Sequence, residues 1–220
     1  MPDVGTIAAI HRYPVKSMQG ETLPTASLGP VGIAGDRHWA VRDRASGKVL
    51  SGKREARLMM ASARMVGASV EITPPGDEAL LGDDPSTDER LSRWLNREVV
   101  LDVAKPQGDE DAFYEFQLDG DERAEVLDLP VMDGSYFDLA PVHLLTSASL
   151  KTAAALEPAI SWDVCRFRPT VLVDTELEGF AEDAWTGRIQ VGGATCAVLM
   201  PTIRCAMPMR PQPGLPAPRD

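Results

Sequence analysis

The sequence predicts a mainly β, α+β protein with only a few helices. Short apolar and β-branched runs, bounded by Pro, Gly or Asp turns, recur in both halves of the chain. Only two stretches carry helical spacing. The 220 residues are 44% hydrophobic and 25% charged, which is enough to bury a real core. That length suits one large domain or two small, intimately packed ones.

VGTIAAIHRYPV (4–15) is the opening strand, stopped at Pro14 because proline offers no ladder donor. RHWAVRD (37–43) sets Trp39 and Val41 on one alternating face, and a turn at 45–47 leads into KVLSG. ASVEITPPGD (68–77) is a strand ended by its Pro-Pro-Gly punctuation. Together these fit a small β-barrel or curled sheet. Ser86 to Glu89 then reads as a capping box, with Leu91, Trp94 and Leu95 following at helical spacing. VVLDVA is a return strand. KPQGDEDA (105–112) is the candidate linker, dividing a β-barrel-like segment, 1–108, from a second segment, 109–220.

The second half repeats the style. LLTSASLKTAAALEP predicts a helix capped by Thr146, Ser147 or Ser149 and stopped by Pro158. PTVLVD is a strand, and RIQVGGATCAVLMP a hairpin turning at Gly192-Gly193.

A net charge of −11 argues against nucleic acid as a partner, since phosphate backbones demand a basic surface. The acid-rich stretch 108–134 reads as a solvated loop. No run is long and apolar enough to span a bilayer, and the N-terminus lacks a secretory pattern, so the expected location is cytoplasmic, without a membrane partner. Three cysteines with no CxxC pair favour neither a disulfide framework nor zinc, and the three histidines show no ligand spacing.

Against that acidic background, local basic groups are informative. In YPVKSMQG (13–20), Lys16 and Ser17 sit in a loop suited to a phosphate. GDRHW (35–39) presents Arg37 at the entry to a strand. In CRFRPTVLVD (165–174), alternation puts Arg166 and Arg168 on one side, where two guanidinium groups suit an anion or surface salt bridges. Cys205, after Ile203 and beside Arg204, is expected at a strand end, where the arginine favours thiolate and hence a soft metal or sulfur chemistry. Cys165 and Cys196 read as inert. Glycine-rich nucleotide motifs, HExxH and GxSxG are absent.

Six pieces, in order, resemble the MOSC family, the molybdenum cofactor sulfurase C-terminal domain preceded by its N-terminal β-barrel domain. They are YPVKS, GDRHW, FDLAPVHLLTSASL (137–150), RFRPTVLVD, FAEDAWTG (180–187) and IRC (203–205). The resemblance implies a β-barrel MOSC core packed on a β-barrel-like N-terminal domain, and a molybdenum cofactor, a pterin dithiolene with a phosphate arm. By similarity to the amidoxime-reducing members, Lys16, Ser17, Arg37, Thr146 with its neighbour Ser147, and Arg168 contact the cofactor, and Cys205 ligates molybdenum. Thr170 stands where many members carry asparagine, and Met207-Pro208-Met209 replaces a threonine-rich stretch.

The activity so implied is reduction of N-hydroxylated small molecules, with electrons from a separate redox partner. One alternative is a sulfur carrier holding a persulfide on Cys205, supplied by a desulfurase. Others are a non-catalytic cofactor-binding module and a member retaining only the fold.

Overall fold

The computed structural model describes residues 3–110, 112–116, 126–203 and 205–218. β1 (Thr6–Arg12) runs to Tyr13-Pro14, followed by the short strands β2 (Glu21–Leu23), β3 (Leu28–Gly29) and β4 (Gly32–Ile33). β5 (Trp39–Asp43) precedes an antiparallel meander of β6 (Ser62–Val66), β7 (Ser69–Thr73) and β8 (Leu80–Leu81). α1 (Thr87–Leu95) then leads to β9 (Val99–Val103), which pairs antiparallel with β5. β10 (Phe113–Phe116) pairs antiparallel with β11 (Leu127–Pro130). The centre of the acidic stretch expected as a solvated loop, 117–125, lies outside the described residues.

In the second half β12 (Leu144–Thr146) passes directly into α2 (Ser147–Leu156), and β13 (Val171–Asp174) follows. β14 (Arg188–Val191) and β15 (Ala194–Ala197) form the expected hairpin. The largest sheet has the order β12-β13-β1-β2. Its β12–β13 pair is parallel, joined by the α2 crossover, while β1 pairs antiparallel with both β13 and β2. The first strand of the chain is thus an inner strand of a sheet shared between the two halves.

Both helices form where expected, with different caps. Thr146 caps α2, its hydroxyl oxygen accepting from the Ser149 N–H at 3.1 Å. Ser86 is the N-cap of α1 but makes no side-chain cap bond; its hydroxyl donates to Asp84 at 2.7 Å instead. The predicted capping box therefore does not form there.

The main core gathers Val15, Met18, Trp39, Val41, Leu58, Val70, Ile72 and Val99 with Leu91 and Leu95 of α1. A smaller cluster takes Ala40, Val49, Ala112, Tyr114 and Tyr136. β5 divides its side chains between the two clusters, as a period-two strand buried on both faces must. Among the described residues the strands do not close into a barrel. Single bridges, Val15 to Trp39 and Gln19 to Ser62, tie β5 and the meander to the segment after β1. That segment, the first of the predicted site motifs, is buried because it threads between sheets. Among the described residues, no helix is long and apolar enough to cross a membrane.

Candidate functional site

YPVKS and GDRHW lie side by side because backbone bonds stitch them together. The Arg37 N–H donates to the Tyr13 carbonyl at 2.8 Å, Trp39 N–H to Pro14 at 3.0 Å, and Lys16 N–H to Trp39 at 2.8 Å. The Asp36 carboxylate accepts from the Tyr13 N–H at 2.7 Å and pairs with the Arg37 guanidinium.

Around the buried Tyr13 ring the cationic groups converge. Arg168 lies with its guanidinium carbon 4.3 Å from the ring centroid and Arg37 at 4.7 Å. Arg37 also donates to the Arg168 carbonyl at 3.1 Å, and Arg168 donates to the Met18 carbonyl. Burial, reinforced by Arg37, pulls the Arg168 guanidinium down to about 10. Burial likewise pushes the Tyr13 phenol up to about 12, against the pull of both arginines. Among the described residues, Arg168 has no carboxylate partner in an ion pair.

Lys16 is 5% exposed. Its ammonium donates to the Tyr136 carbonyl at 2.7 Å, pairs with Asp138, and stands 4.9 Å from the Tyr114 ring centroid. Tyr136 also donates its N–H to the Arg37 carbonyl at 2.7 Å, so one backbone unit holds both cations. The Ser17 hydroxyl oxygen accepts from the Gly52 N–H at 2.8 Å.

Four non-glycine residues among those described have left-handed backbones: Ser17 (φ 69°), Arg37 (48°), Arg168 (53°) and Asn96 (45°). Asn96 ends α1, where that conformation is ordinary. The other three are all predicted site residues. Neither serine nor arginine favours φ above zero, and such strain collects at functional sites.

Arg166 and Arg168 part company, contrary to the alternation reading. Val164–Arg166 is a 3₁₀ turn started by Asp163, whose carboxylate accepts from the Cys165 N–H, so strand periodicity does not apply. Buried Arg166 donates to the carbonyls of Ser161 (2.6 Å), Pro208 (3.0 Å) and Pro216 (2.8 Å), fastening the C-terminal tail. Gln19 adds a bond to Gln212 at 3.0 Å.

Cys205 does not end a strand. It lies half-buried with a free thiol in a loop before the 3₁₀ turn Met207–Met209. Arg204, expected to favour its thiolate, lies outside the described residues. The tail returns to the site through Met207, whose methyl would stand 3.1 Å from a Cβ built on Gly52, the residue bonded to Ser17. A Cβ at Gly52 would also crowd the Met59 side chain, at 2.8 Å, so any larger residue must push it aside.

Thr146 and Ser147 sit apart from the arginines, whereas Thr170 follows Arg168 by two residues and its carbonyl accepts from the His11 N–H at 2.8 Å. Thr146 pairs with Val173, which pairs with Ile7, placing it at the end of the central sheet away from Tyr13. Its hydroxyl donates to Glu182 at 2.8 Å, and Ser147 donates to Asp174 at 2.7 Å. Thr170 is buried, its hydroxyl accepting from the His143 N–H at 3.2 Å.

Tyr13, Asp36, Tyr136 and Asp138 complete the site and stand outside the residues predicted to bind the cofactor. Tyr13 and Asp36 lie inside quoted motifs, which was the available signal. A cleft of about 220 Å³ opens beside Tyr13, lined also by His11, Gln19, Cys165 and Gln212. A larger, open hollow of about 750 Å³ lies against α1, where Arg44 and Arg93 are already paired with Asp88 and Glu89.

Residues 4–112 match the MOSC N-terminal beta barrel domain and residues 133–216 match the MOSC domain. The chain is 26% identical over 231 residues to mitochondrial amidoxime reducing component 2 of Bos taurus, covering 94% of this chain and 67% of that protein. It is 28% identical over 215 residues to mitochondrial amidoxime-reducing component 1 of Danio rerio, covering 86% and 63%. With component 2 of Homo sapiens it shares 25% over 231 residues, covering 94% and 67%. The chain thus spans about two thirds of the length of these relatives. Both family segments lie in order across most of the chain, and YPVKS and GDRHW of the first meet RFRP of the second in one strained cationic cluster: the chain belongs to the MOSC family.

Proposed function

We propose that this chain holds a molybdenum cofactor and reduces N-hydroxylated small molecules, as the names of its amidoxime-reducing relatives suggest. The residues present fit such a group. Lys16, Arg37 and Arg168 would face its phosphate arm and anionic pterin, with Ser17 shaping the adjoining loop. Cys205 would ligate the metal, a thiolate being the protein donor that suits soft, sulfur-rich coordination. When bound, the group supplies two-electron chemistry that, with two protons, converts N–OH to N–H and water. The electrons come from a separate redox protein.

One observation carries the reading. Arg168 is a buried guanidinium with no carboxylate paired to it among the described residues, on a protein of net charge −11. Burying a cation without a partner is costly, and an anionic ligand supplies the missing charge. Tyr13 and the Arg37–Asp36 pair hold that guanidinium in place for it.

The test is molybdenum and pterin content per chain after purification from a host that makes the cofactor. Wild type should retain both, Arg168→Met should lose both, and Cys205→Ser should lose mainly metal. If wild type retains neither, the reading fails, and Cys205 is then assayed for persulfide as a sulfur carrier.

A further inference from the structure

Lys16 has more partners than a waiting phosphate ligand needs. An ammonium carries three N–H donors. One reaches the Tyr136 carbonyl, one the Asp138 carboxylate, and the Tyr114 ring face lies beyond. The Lys16 side chain is 6% exposed and that of Asp138 56% exposed, so the carboxylate reaches in from the surface and covers a buried cation. Burial acts to raise the Asp138 carboxyl, but Lys16, with Arg37 and Lys53 beyond, outweighs it and holds the group below its ordinary range.

The two carboxylates of the cluster differ in how they are built in. Asp36 is buried, accepts from the Tyr13 backbone and pairs with Arg37 on a strained turn. Removing it would dismantle the site. Among the described residues Asp138 makes one side-chain ion pair, to Lys16, and half of its side chain already faces solvent. It can swing away without disturbing the backbone that positions Lys16, because Tyr136 alone supplies the structural bond.

We propose that Asp138 is the resident counter-ion of this site, occupying Lys16 until a phosphate monoester displaces it and so setting the affinity of the site for anions. This rests on the reading that the Lys16, Arg37 and Arg168 cluster binds an anion, under which the ligand is the phosphate arm of the pterin. A competing carboxylate admits only ligands whose charge exceeds its own. Monoanions of low charge density are refused, and a dianionic phosphate is accepted.

The test uses the full chain and inorganic phosphate, titrated by calorimetry at low ionic strength. Asp138→Asn keeps the shape and an acceptor oxygen for Lys16 while removing the charge. It should bind phosphate about tenfold more tightly than wild type, the size expected when one opposing charge is removed at close range. Without phosphate it should melt below wild type, and saturating phosphate should close that gap. The gain should vanish when Arg168→Met is added. Unchanged or weaker binding by Asp138→Asn overturns the inference, because Asp138 then positions Lys16 or is irrelevant to it. Unaltered binding by Arg168→Met alone, or no binding by any variant, overturns the anion-site reading and this inference with it.

Discussion

The Arg168 guanidinium stands over the Tyr13 ring, its central carbon 4.3 Å from the ring centroid, and donates to a backbone carbonyl. A cation that rests on an aromatic face is held in position without being neutralised. Its charge stays available to a ligand.

The ring matters here more than the phenol. Because burial holds the Tyr13 hydroxyl up to about 12, it stays protonated across the physiological range. Tyr13→Phe should unfold in urea within about 1 kcal/mol of wild type, whereas Tyr13→Ala should lose about 3–5 kcal/mol through the cavity it leaves between two guanidiniums.

Ser17 combines strain with a needed hydrogen bond. Ser17→Ala leaves the Gly52 N–H unpaired in a buried loop and should cost about 1–3 kcal/mol by chemical denaturation. Ser17→Gly loses the same bond but adopts φ 69° freely, and should recover about 1 kcal/mol of that loss.

Arg166 should behave as the fastening of the tail. In Arg166→Met, the carbonyls of Pro208 and Pro216 lose their shared donor. Hydrogen exchange should show faster exchange at the non-proline amides across 206–216. Arg166→Lys should rescue little, because a point charge cannot serve diverging carbonyls as a planar fork does.

Acid should weaken the fold through Asp43. Burial acts to raise this carboxyl, but bonds from Ser46 and the pairing with Arg97 outweigh it and hold it at about 2. A group depressed on folding stabilises the protein above its unfolded value near 3.8, and that contribution fades as pH falls from there through about 2. Unfolding free energy should drop by about 1–2 kcal/mol more for wild type than for Asp43→Asn across that window.

Much of the fold was legible because its strands are short, punctuated and alternating. Pro14 ends β1, Pro158 follows α2, and Gly192-Gly193 turns the last hairpin. The cationic cluster was legible only as separate basic residues in an acidic chain. Its left-handed residues were hidden, since Ser17, Arg37 and Arg168 belong to types that carry no such signal. Arg166 was misdirected by strand alternation, although Asp163 two residues before Cys165 is an ordinary turn starter. Asp138 lies inside the quoted FDLAPVHLLTSASL piece, but nothing local ties it to a lysine 122 positions away.

The placement of β1 bears on how the protein is made. It is made well before β13, and its short neighbour β2 follows within a few residues. Its other edge belongs to β13, which cannot join until Asp174 has been synthesised. Through most of translation, one side of this early strand has no native partner, an exposure that invites pairing with other chains. That edge of β1 is covered only once β13, in the second family segment, has been made.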